Sequence, residues 1–294
     1  MQWRGRRGST NVEDRRTVGG GLRIPAGGAG RAGFGGIGFL IVIVVVSLLF
    51  GVNPMTLLEG LDAGPGGGQQ AQSQAPLPPA SDEMAQFVRV VLADTEDTWS
   101  KVFEQEFGEA YAEPRLVLFA GGIRSACGFA QAASGPFYCP GDSRIYIDLS
   151  FYEELKRRFK APGDFAQAYV IAHEVGHHVQ NLTGILTEFN RIRQRVSQAK
   201  ANELSVRIEL QADCLAGVWA HDTARKGLLD EGDIDEALNA AAQIGDDAIQ
   251  KRTQGYVVPE SFNHGSSAQR VRWFRAGYEA GSIAACDTFS AARL

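Results

Sequence analysis

The segment Ile171-Ala-His173-Glu174-Val-Gly-His177 places two histidines four residues apart, with a glutamate directly after the first. Residues i and i+4 of an α-helix lie on one face, so the imidazoles of His173 and His177 can bind the same ion. Neutral imidazole is a favoured ligand of Zn²⁺, and a glutamate at this position reaches a water on the metal. We therefore predict that His173 and His177 bind one catalytic zinc ion and that Glu174 is the general base. A pair of ordinary helix histidines is the alternative interpretation.

The third zinc ligand has to come from elsewhere, because a catalytic zinc ion has three protein ligands and one open position. The third-histidine pattern of the metzincins is absent, since Gln180 and Thr183 stand where that pattern needs Gly and His. Glu209 and Asp213 share a helical face that is otherwise apolar, so this carboxylate pair needs a partner such as a metal site. We predict Glu209 as the ligand and Asp213 as the acceptor of a ligand histidine's free N–H group. Glu203 is a weaker alternative ligand, and a surface salt bridge is the alternative explanation of the pair.

These motifs resemble those of the YpfJ-like neutral zinc metallopeptidases, a family of gluzincin type. The similarity covers nearly all of residues 81–294 and rests on the His173 motif and on segments 125–129, 135–140, 161–169, 209–220 and 261–270. The membrane-embedded CAAX-processing gluzincins are also similar, with a Glu-x-x-Ala-Asp segment and then a histidine followed six residues later by an arginine. His264 and Arg270 keep that spacing, although Gly265 replaces the usual proline. The resemblance implies a zincin-like domain with peptidase chemistry at these positions.

His264 is the candidate for a second catalytic role. Amide hydrolysis passes through a tetrahedral oxyanion, which needs a hydrogen-bond donor besides the metal. His264 lies in a Gly/Ser-rich loop before a helix, and we predict that it is this donor. We expect Arg270 to orient His264 or to bind a nearby carboxylate. A capping or structural histidine is the alternative for His264.

An uncharged stretch runs from residue 32 to residue 58 and is almost continuously apolar at residues 38–50. We predict a transmembrane helix at residues 33–52, about the 20 residues that cross a bilayer. A cleaved signal peptide is the alternative, but no small-residue cleavage site follows. The first 31 residues carry seven arginines and only two acidic residues, Glu13 and Asp14. The positive-inside rule therefore predicts a cytoplasmic N-terminus and a catalytic domain on the other side of the membrane.

Composition divides the chain into four regions. Residues 1–31 are rich in Gly and Arg and are predicted to be disordered, and residues 53–80 form a linker of Gly, Gln and Pro. Residues 81–294 form the predicted catalytic domain. The fold class is α+β, a mainly helical zincin-like metallopeptidase domain with a small β-sheet, preceded by one transmembrane helix.

The catalytic domain can be divided further by its hydrophobic periodicity. We expect a first helix capped by Ser81, strands Arg115–Phe119 and Arg144–Asp148, and helices from residue 163 onward. Asp164 and Gln167 form a predicted capping box for the helix that carries the zinc motif. The remaining expectations are a helical region at 186–229 broken near 201–202, a helix at 234–250, and a last helix beginning near Ser267.

The four cysteines favour disulfides over thiolate zinc ligands, because the sequence contains no Cys-x-x-Cys. Three pairings are open, and we prefer Cys127–Cys139 with Cys214–Cys286. Disulfides persist outside the cytoplasm. The sequence therefore predicts a single-pass inner-membrane protein with an extracytoplasmic or periplasmic catalytic domain.

The leading function is a membrane-anchored zinc metallopeptidase, an endopeptidase with one Zn²⁺ and peptide or protein substrates. A net charge of −5 argues against a nucleic-acid partner. An extended substrate can pair with an exposed edge strand, for which Arg144–Asp148 is the candidate. A zinc-stabilised extracytoplasmic binding or scaffold domain without peptidase activity is the first alternative. A non-peptidase hydrolase that uses the same metal is the second.

Overall fold

The computed structural model of the chain describes residues 1–16, 76–132 and 135–294. The predicted span at 33–52 and all of the predicted linker except residues 76–80 lie outside these ranges. Among the described residues, no helix is both long enough and apolar enough to cross a bilayer. The described residues belong to one compact unit, whose architecture is mainly helical with a small sheet.

Eight α-helices make up most of the described structure. They are α1 (Glu83–Glu106), α2 (Ser150–Arg157), α3 (Asp164–Leu182), α4 (Ile185–Arg193), α5 (Gln198–Arg225), α6 (Asp233–Gln243), α7 (Asp246–Gln254) and α8 (Ser267–Ala280). The zinc motif lies in the middle of α3, and Glu209 lies in α5. Helix α3 packs against α5, and α5 packs against α8. The predicted ligands are therefore on neighbouring helices.

The sheet has four strands in the order β1-β2-β6-β5. Its members are β1 (Val12–Asp14), β2 (Arg115–Phe119), β5 (Phe137–Cys139) and β6 (Arg144–Asp148), and β3 (Gly122–Ser125) and β4 (Gly128–Gln131) form a separate hairpin. Strands β1, β2 and β6 are parallel, and β5 is antiparallel to β6. The bounds of β2 and β6 match the prediction. The proposed edge position of Arg144–Asp148 is wrong, because β6 lies between β2 and β5, and the edge strands are β1 and β5.

Alternating side chains of the central strands belong to two separate apolar clusters. Leu116 and Leu118 of β2 join the main helical core, whereas Val117 and Phe119 join a smaller cluster with Tyr146. This period of two follows from strand geometry, in which successive side chains point to opposite faces. The sheet therefore has a covered surface on both sides, and α3 packs against β5 and β6.

The N-terminal segment is part of the fold, and the prediction of disorder is wrong for residues 1–16. Trp3 packs edge to face on Phe87 with 5.5 Å between ring centroids. Arg6 forms a 2.8 Å ion pair with the buried Asp94 of α1. Strand β1 pairs with β2, with Val12 opposite Leu116. The arginines of this segment bind specific carboxylates instead of forming a solvated basic tail.

This pairing conflicts with the predicted topology. A chain that crossed a membrane once between residues 16 and 76 would put β1 and β2 on opposite sides. Asn11 O accepts a 2.9 Å hydrogen bond from Leu116 N, and Asp14 N donates a 2.9 Å bond to Pro76 O. These contacts place the described N-terminal residues beside β2 in one compact unit.

Several helix ends differ from the expected ones. The first helix is capped by Asp82, whose carboxylate accepts from Ala85 N at 3.0 Å, and not by Ser81. The zinc-motif helix has no capping box, because Glu236 of α6 accepts the N–H of Phe165 at 3.1 Å in place of a local cap. The break in the region 186–229 falls at residues 194–197 and not at 201–202. The helix expected at 234–250 is two helices, α6 and α7, which Gly245 separates.

Glycines permit the close helix contacts that position the site. A Cβ atom on Gly176 of α3 would lie 2.9 Å from the carbonyl oxygen of Ala212 in α5. A Cβ atom on Gly277 of α8 would collide with the carbonyl oxygen of Cys214 in α5. Neither contact leaves room for a larger side chain. The three helices that carry the site are therefore packed backbone to backbone.

Both predicted disulfides are present. Cys127 is bonded to Cys139, and Cys214 is bonded to Cys286. The first joins the β3–β4 hairpin to β5, and the second joins α5 to the C-terminal segment after α8. The preferred pairing of the four cysteines is confirmed.

Candidate metal centre

Helices α3 and α5 bring three zinc-type ligands together, His173 and His177 from α3 and Glu209 from α5. His173 Nε2 lies 3.2 Å from Glu209 Oε2, and His177 Nε2 lies 3.6 Å from Glu209 Oε1. The ligand atoms of the three residues lie within 4.8 Å of one another. Ligands about 2.1 Å from a zinc ion are roughly 3.4 Å apart in a tetrahedron. The three residues therefore fit a single zinc ion.

The second nitrogen of each histidine is fixed by a partner. His173 Nδ1 donates to Asp213 Oδ1 at 2.8 Å, and His177 Nδ1 donates to Gln180 Oε1 at 2.8 Å. The Gln180 amide is itself oriented, because its nitrogen donates to the Ile208 carbonyl oxygen at 2.8 Å. When each ring is neutral, Nδ1 carries the proton donated to this partner, and Nε2 offers its lone pair to a metal ion beside Glu209. This tautomer is the one that a metal ligand requires.

A buried charge network supports the first ligand. Arg270 of α8 donates from Nε and Nη2 to the two oxygens of Asp213, at 2.8 and 2.9 Å. Tyr169 Oη also donates to Asp213, at 2.5 Å. Arg270 is 3% exposed and Asp213 is 0% exposed, so both charges are desolvated and each depends on the other. Burial raises the pKa of Asp213, but Arg270 and His173 outweigh this effect and lower it to about 2.

The electrostatics of the site favour positive charge between the ligands. Burial lowers the pKa of His173, but Asp213 and Glu209 outweigh it and raise the pKa to about 10. Burial raises the pKa of Glu209, yet the neighbouring histidines bring it well below its ordinary value. The carboxylates thus favour positive charge on the two imidazoles, which is held there as bound protons. A divalent cation at this point supplies that charge.

Glu174 lines the same cleft as the three ligands and is only 7% exposed. The cleft has a volume of ≈ 540 Å³ and is open to solvent. Tyr138 of the edge strand β5 forms part of its wall, and so does His264. A buried carboxylate beside a metal group and facing a cleft has the position of a general base.

His264 is oriented by Asp246, at the first position of α7. Asp246 Oδ1 accepts from His264 Nδ1 at 3.1 Å, and Asp246 Oδ2 accepts the backbone N–H groups of Asn263, His264 and Gly265 at 2.8, 2.7 and 3.0 Å. Because a carboxylate only accepts, Nδ1 carries the proton donated to Asp246. Burial lowers the pKa of His264, but Asp246 and Glu209 outweigh it and raise the pKa. Of the two roles expected for Arg270, the structure shows the binding of a nearby carboxylate, Asp213, while Asp246 orients His264.

Other candidates are excluded from the site by their contacts. Glu203 is exposed and forms an ion pair with Lys200 at 2.8 Å. His178 bonds Tyr138 and the carbonyl oxygen of Ala112. His221 bonds the carbonyl oxygen of Tyr278. These residues have structural roles.

Three residues of the site were not predicted from the sequence. Tyr169 lies four residues before His173, and Gln180 lies three residues after His177, so helical spacing could have placed both on the metal face. No helical spacing in the sequence points to Asp246, because its partners lie in a later loop that only the folded chain brings next to it. These residues orient the predicted ones and do not themselves offer an atom to the metal.

Comparison with known proteins agrees with the geometry. The family model described as "Putative neutral zinc metallopeptidase" matches residues 1–289. Escherichia coli K12 YpfJ is 51% identical over 292 residues, covering 98% of this chain and 99% of that relative. The Mycobacterium bovis protein Mb2605 is 47% identical over 195 residues, covering 63% and 65%. No solved structure matches the chain significantly. Because the family match includes β1 and all three residues of the metal group, the chain belongs to this family of neutral zinc metallopeptidases.

Proposed function

We propose that the chain is a zinc-dependent endopeptidase with one ion bound by His173, His177 and Glu209. The observation that carries this proposal is the convergence of three zinc-type ligands and a second, buried carboxylate, Glu174, in one open cleft. A purely structural zinc site has four protein ligands and no need of a base beside it.

The proposed chemistry divides the work between the ion and the chain. A zinc ion held by His173, His177 and Glu209 would supply Lewis acidity, which lowers the pKa of a water molecule and polarises a carbonyl group. Glu174 takes the proton from the attacking water and passes it to the leaving nitrogen. Protonated on both ring nitrogens, His264 would keep Nδ1–H bonded to Asp246 and would donate Nε2–H to the carbonyl oxygen as negative charge develops. Asp213 and Arg270 keep His173 in one tautomer throughout.

Strand β5 is the proposed site of substrate pairing. It is one of the two edges of the sheet, and its residues Phe137 and Tyr138 line the cleft that contains the ligands. An extended peptide can add to such an edge by main-chain hydrogen bonds, which are independent of its sequence. This arrangement would present an internal peptide bond to the metal group.

The two alternatives predict different behaviour. A zinc-stabilised scaffold domain would bind the metal without turnover and would not need Glu174. A non-peptidase hydrolase would use the same metal ligands and the same base, Glu174, to cleave bonds other than peptide bonds. Peptide cleavage that depends on both the metal and Glu174 favours the endopeptidase.

We also propose that residues 1–16 and the catalytic unit lie together outside the cytoplasm. The two disulfides support an oxidising compartment. The pairing of β1 with β2 supports a common side for both segments.

The test uses the full chain and peptides blocked at both ends, which only an endopeptidase can cleave. Wild-type protein should bind about one zinc ion, lose activity with a chelator and regain it on zinc addition. Glu174→Gln should keep the zinc and lower kcat by at least about 10²-fold, because an amide cannot take the proton. Glu203→Gln, on the exposed face of α5, is the matched control and should behave as wild type. Wild-type activity in Glu174→Gln would show that the base is misassigned, and zinc-loaded protein that cleaves no peptide would refute the proposed function.

A further inference from the structure

The cleft carries two arginines at some distance in sequence from its metal group. Arg158 follows the C-terminus of α2, and Arg252 lies in the last turn of α7. Both guanidinium groups lie over the ring of Phe159, with centroid distances of 5.8 and 4.9 Å. All three residues line the cleft that contains His173 and Glu174. Two different helices therefore direct positive charge to one point of the cleft wall.

Neither arginine forms an ion pair with another residue in the part of the chain that the structure describes. Arg252 is oriented by Gln243 of α6, which accepts from Nη1 at 3.2 Å and from Nη2 at 2.7 Å. A guanidinium group has five N–H donors, so three remain for another partner. Within residues 1–16, 76–132 and 135–294, no carboxylate lies within ion-pair distance of Arg158 or Arg252. Glu154, which also lines the cleft, belongs to the preceding turn of α2.

Apolar side chains lie next to this cationic point. Phe151 lies 6.2 Å from Phe159 between ring centroids, and Ile249 of α7 lines the cleft beside them. Stacking on an aromatic ring fixes the plane of a guanidinium group and leaves its N–H edge free. Carboxylates match that edge geometrically and form charge-assisted hydrogen bonds with it. Such a wall fits an apolar side chain and an adjacent carboxylate.

We propose that Arg158 and Arg252 form a carboxylate-binding subsite, which selects peptides with a negative charge within a few residues of the scissile bond. The position of the subsite relative to a scissile bond rests on the proposed function. Binding of the carboxylate itself does not require hydrolysis. The carboxylate comes from an Asp or Glu side chain or from the C-terminus of the substrate. Arg158 and Arg252 are specificity residues and leave the chemistry at His173 and Glu174 unchanged.

The test measures binding separately from cleavage. Zinc-loaded Glu174→Gln protein is titrated with fluorescent peptides in which one Glu is moved through six successive positions, each matched by a Gln peptide. A second set compares a free C-terminus with a C-terminal amide. At one position or at the free C-terminus, the negative peptide should bind at least about fivefold more tightly, and the preference should weaken with added salt.

Substitutions identify the source of the preference. Arg158→Gln and Arg252→Gln should each reduce it, and the double variant should abolish it while Gln peptides bind as before. Arg158→Glu with Arg252→Glu should invert it toward a Lys peptide. Arg157→Gln is the matched control, because Arg157 is 82% exposed in its side chain and pairs with Glu153 outside the cleft.

The outcomes separate this proposal from the proposed function. Equal binding of all matched peptides overturns the subsite, and so does a preference that survives the double variant. Cleavage of peptides without any charge preference refutes the subsite alone. Arginine-dependent binding in a wild-type protein that cleaves nothing refutes the peptidase proposal alone.

Discussion

Asp213→Asn should both destabilise the protein and weaken metal binding, because Asp213 forms an ion pair with Arg270 and also orients the metal ligand His173. The amide oxygen can still accept from His173, but it carries no charge to balance Arg270, which is 3% exposed. Breaking a buried ion pair in this way costs about 3–5 kcal/mol. In a domain of this size 1 kcal/mol corresponds to roughly 2–4 °C in Tm, so a decrease of about 6–20 °C is expected. Zinc affinity should fall by about 10- to 100-fold, the usual effect of losing such a supporting group.

The measurement compares calorimetric Tm values of metal-free proteins and zinc affinities from competition with a chromophoric chelator. Glu203→Gln is the matched control on the same helix, since Glu203 is 43% exposed and its partner Lys200 is 49% exposed, and it should cost about 1 kcal/mol or less. The double variant Asp213→Asn/Arg270→Met removes the stranded cation and should recover part of the lost Tm without recovering zinc affinity. A single variant within about 2 °C of wild type and with unchanged zinc affinity would refute the charge-balance argument.

Two further predictions concern the oxyanion donor and the topology. The variant His264→Ala should fold and bind zinc as the wild type does, but its kcat should be lower by about 10²–10³-fold with little change in KM. The variant Asp246→Asn should lower kcat by less, about tenfold. If the two substitutions change only Tm, both residues are structural. Reporters of compartment fused before Met1 and after Leu294 should be active on the same, extracytoplasmic side, and opposite readouts would contradict the pairing of β1 with β2.

The sequence was sufficient where the signal is local. Strands β2 and β6 have the predicted bounds because their composition and alternation are both typical of strands. The metal-binding face of α3 follows from the i, i+4 spacing of His173 and His177. The pairing of Glu209 with that face needed only the requirement that buried carboxylates have partners.

Non-local contacts explain the errors. The arginines of residues 1–16 resembled a disordered tail because their carboxylate partners, such as Asp94, lie about 80 residues away in sequence. The topology prediction relies on the same segment, and the positive-inside rule does not consider whether the flanking residues fold. Asp246 was missed because only the return of the chain at residues 263–265 gives it a role. The break before α5 could have been placed correctly, because Ser197 is an N-cap whose hydroxyl accepts from Lys200 N.

The position of β1 has a practical consequence for preparing the enzyme. A fragment that begins near residue 76 would lack β1 and would expose the unpaired N–H and C=O groups of β2, a template for intermolecular strand addition and aggregation. The hydrogen bond between Asp14 N and Pro76 O shows that the two ends of the intervening segment are adjacent in the fold. A few flexible residues could therefore replace residues 17–75, which contain the apolar run, while keeping the sheet complete. Such an internal deletion, and not an N-terminal truncation, is the rational route to a crystallisable catalytic unit.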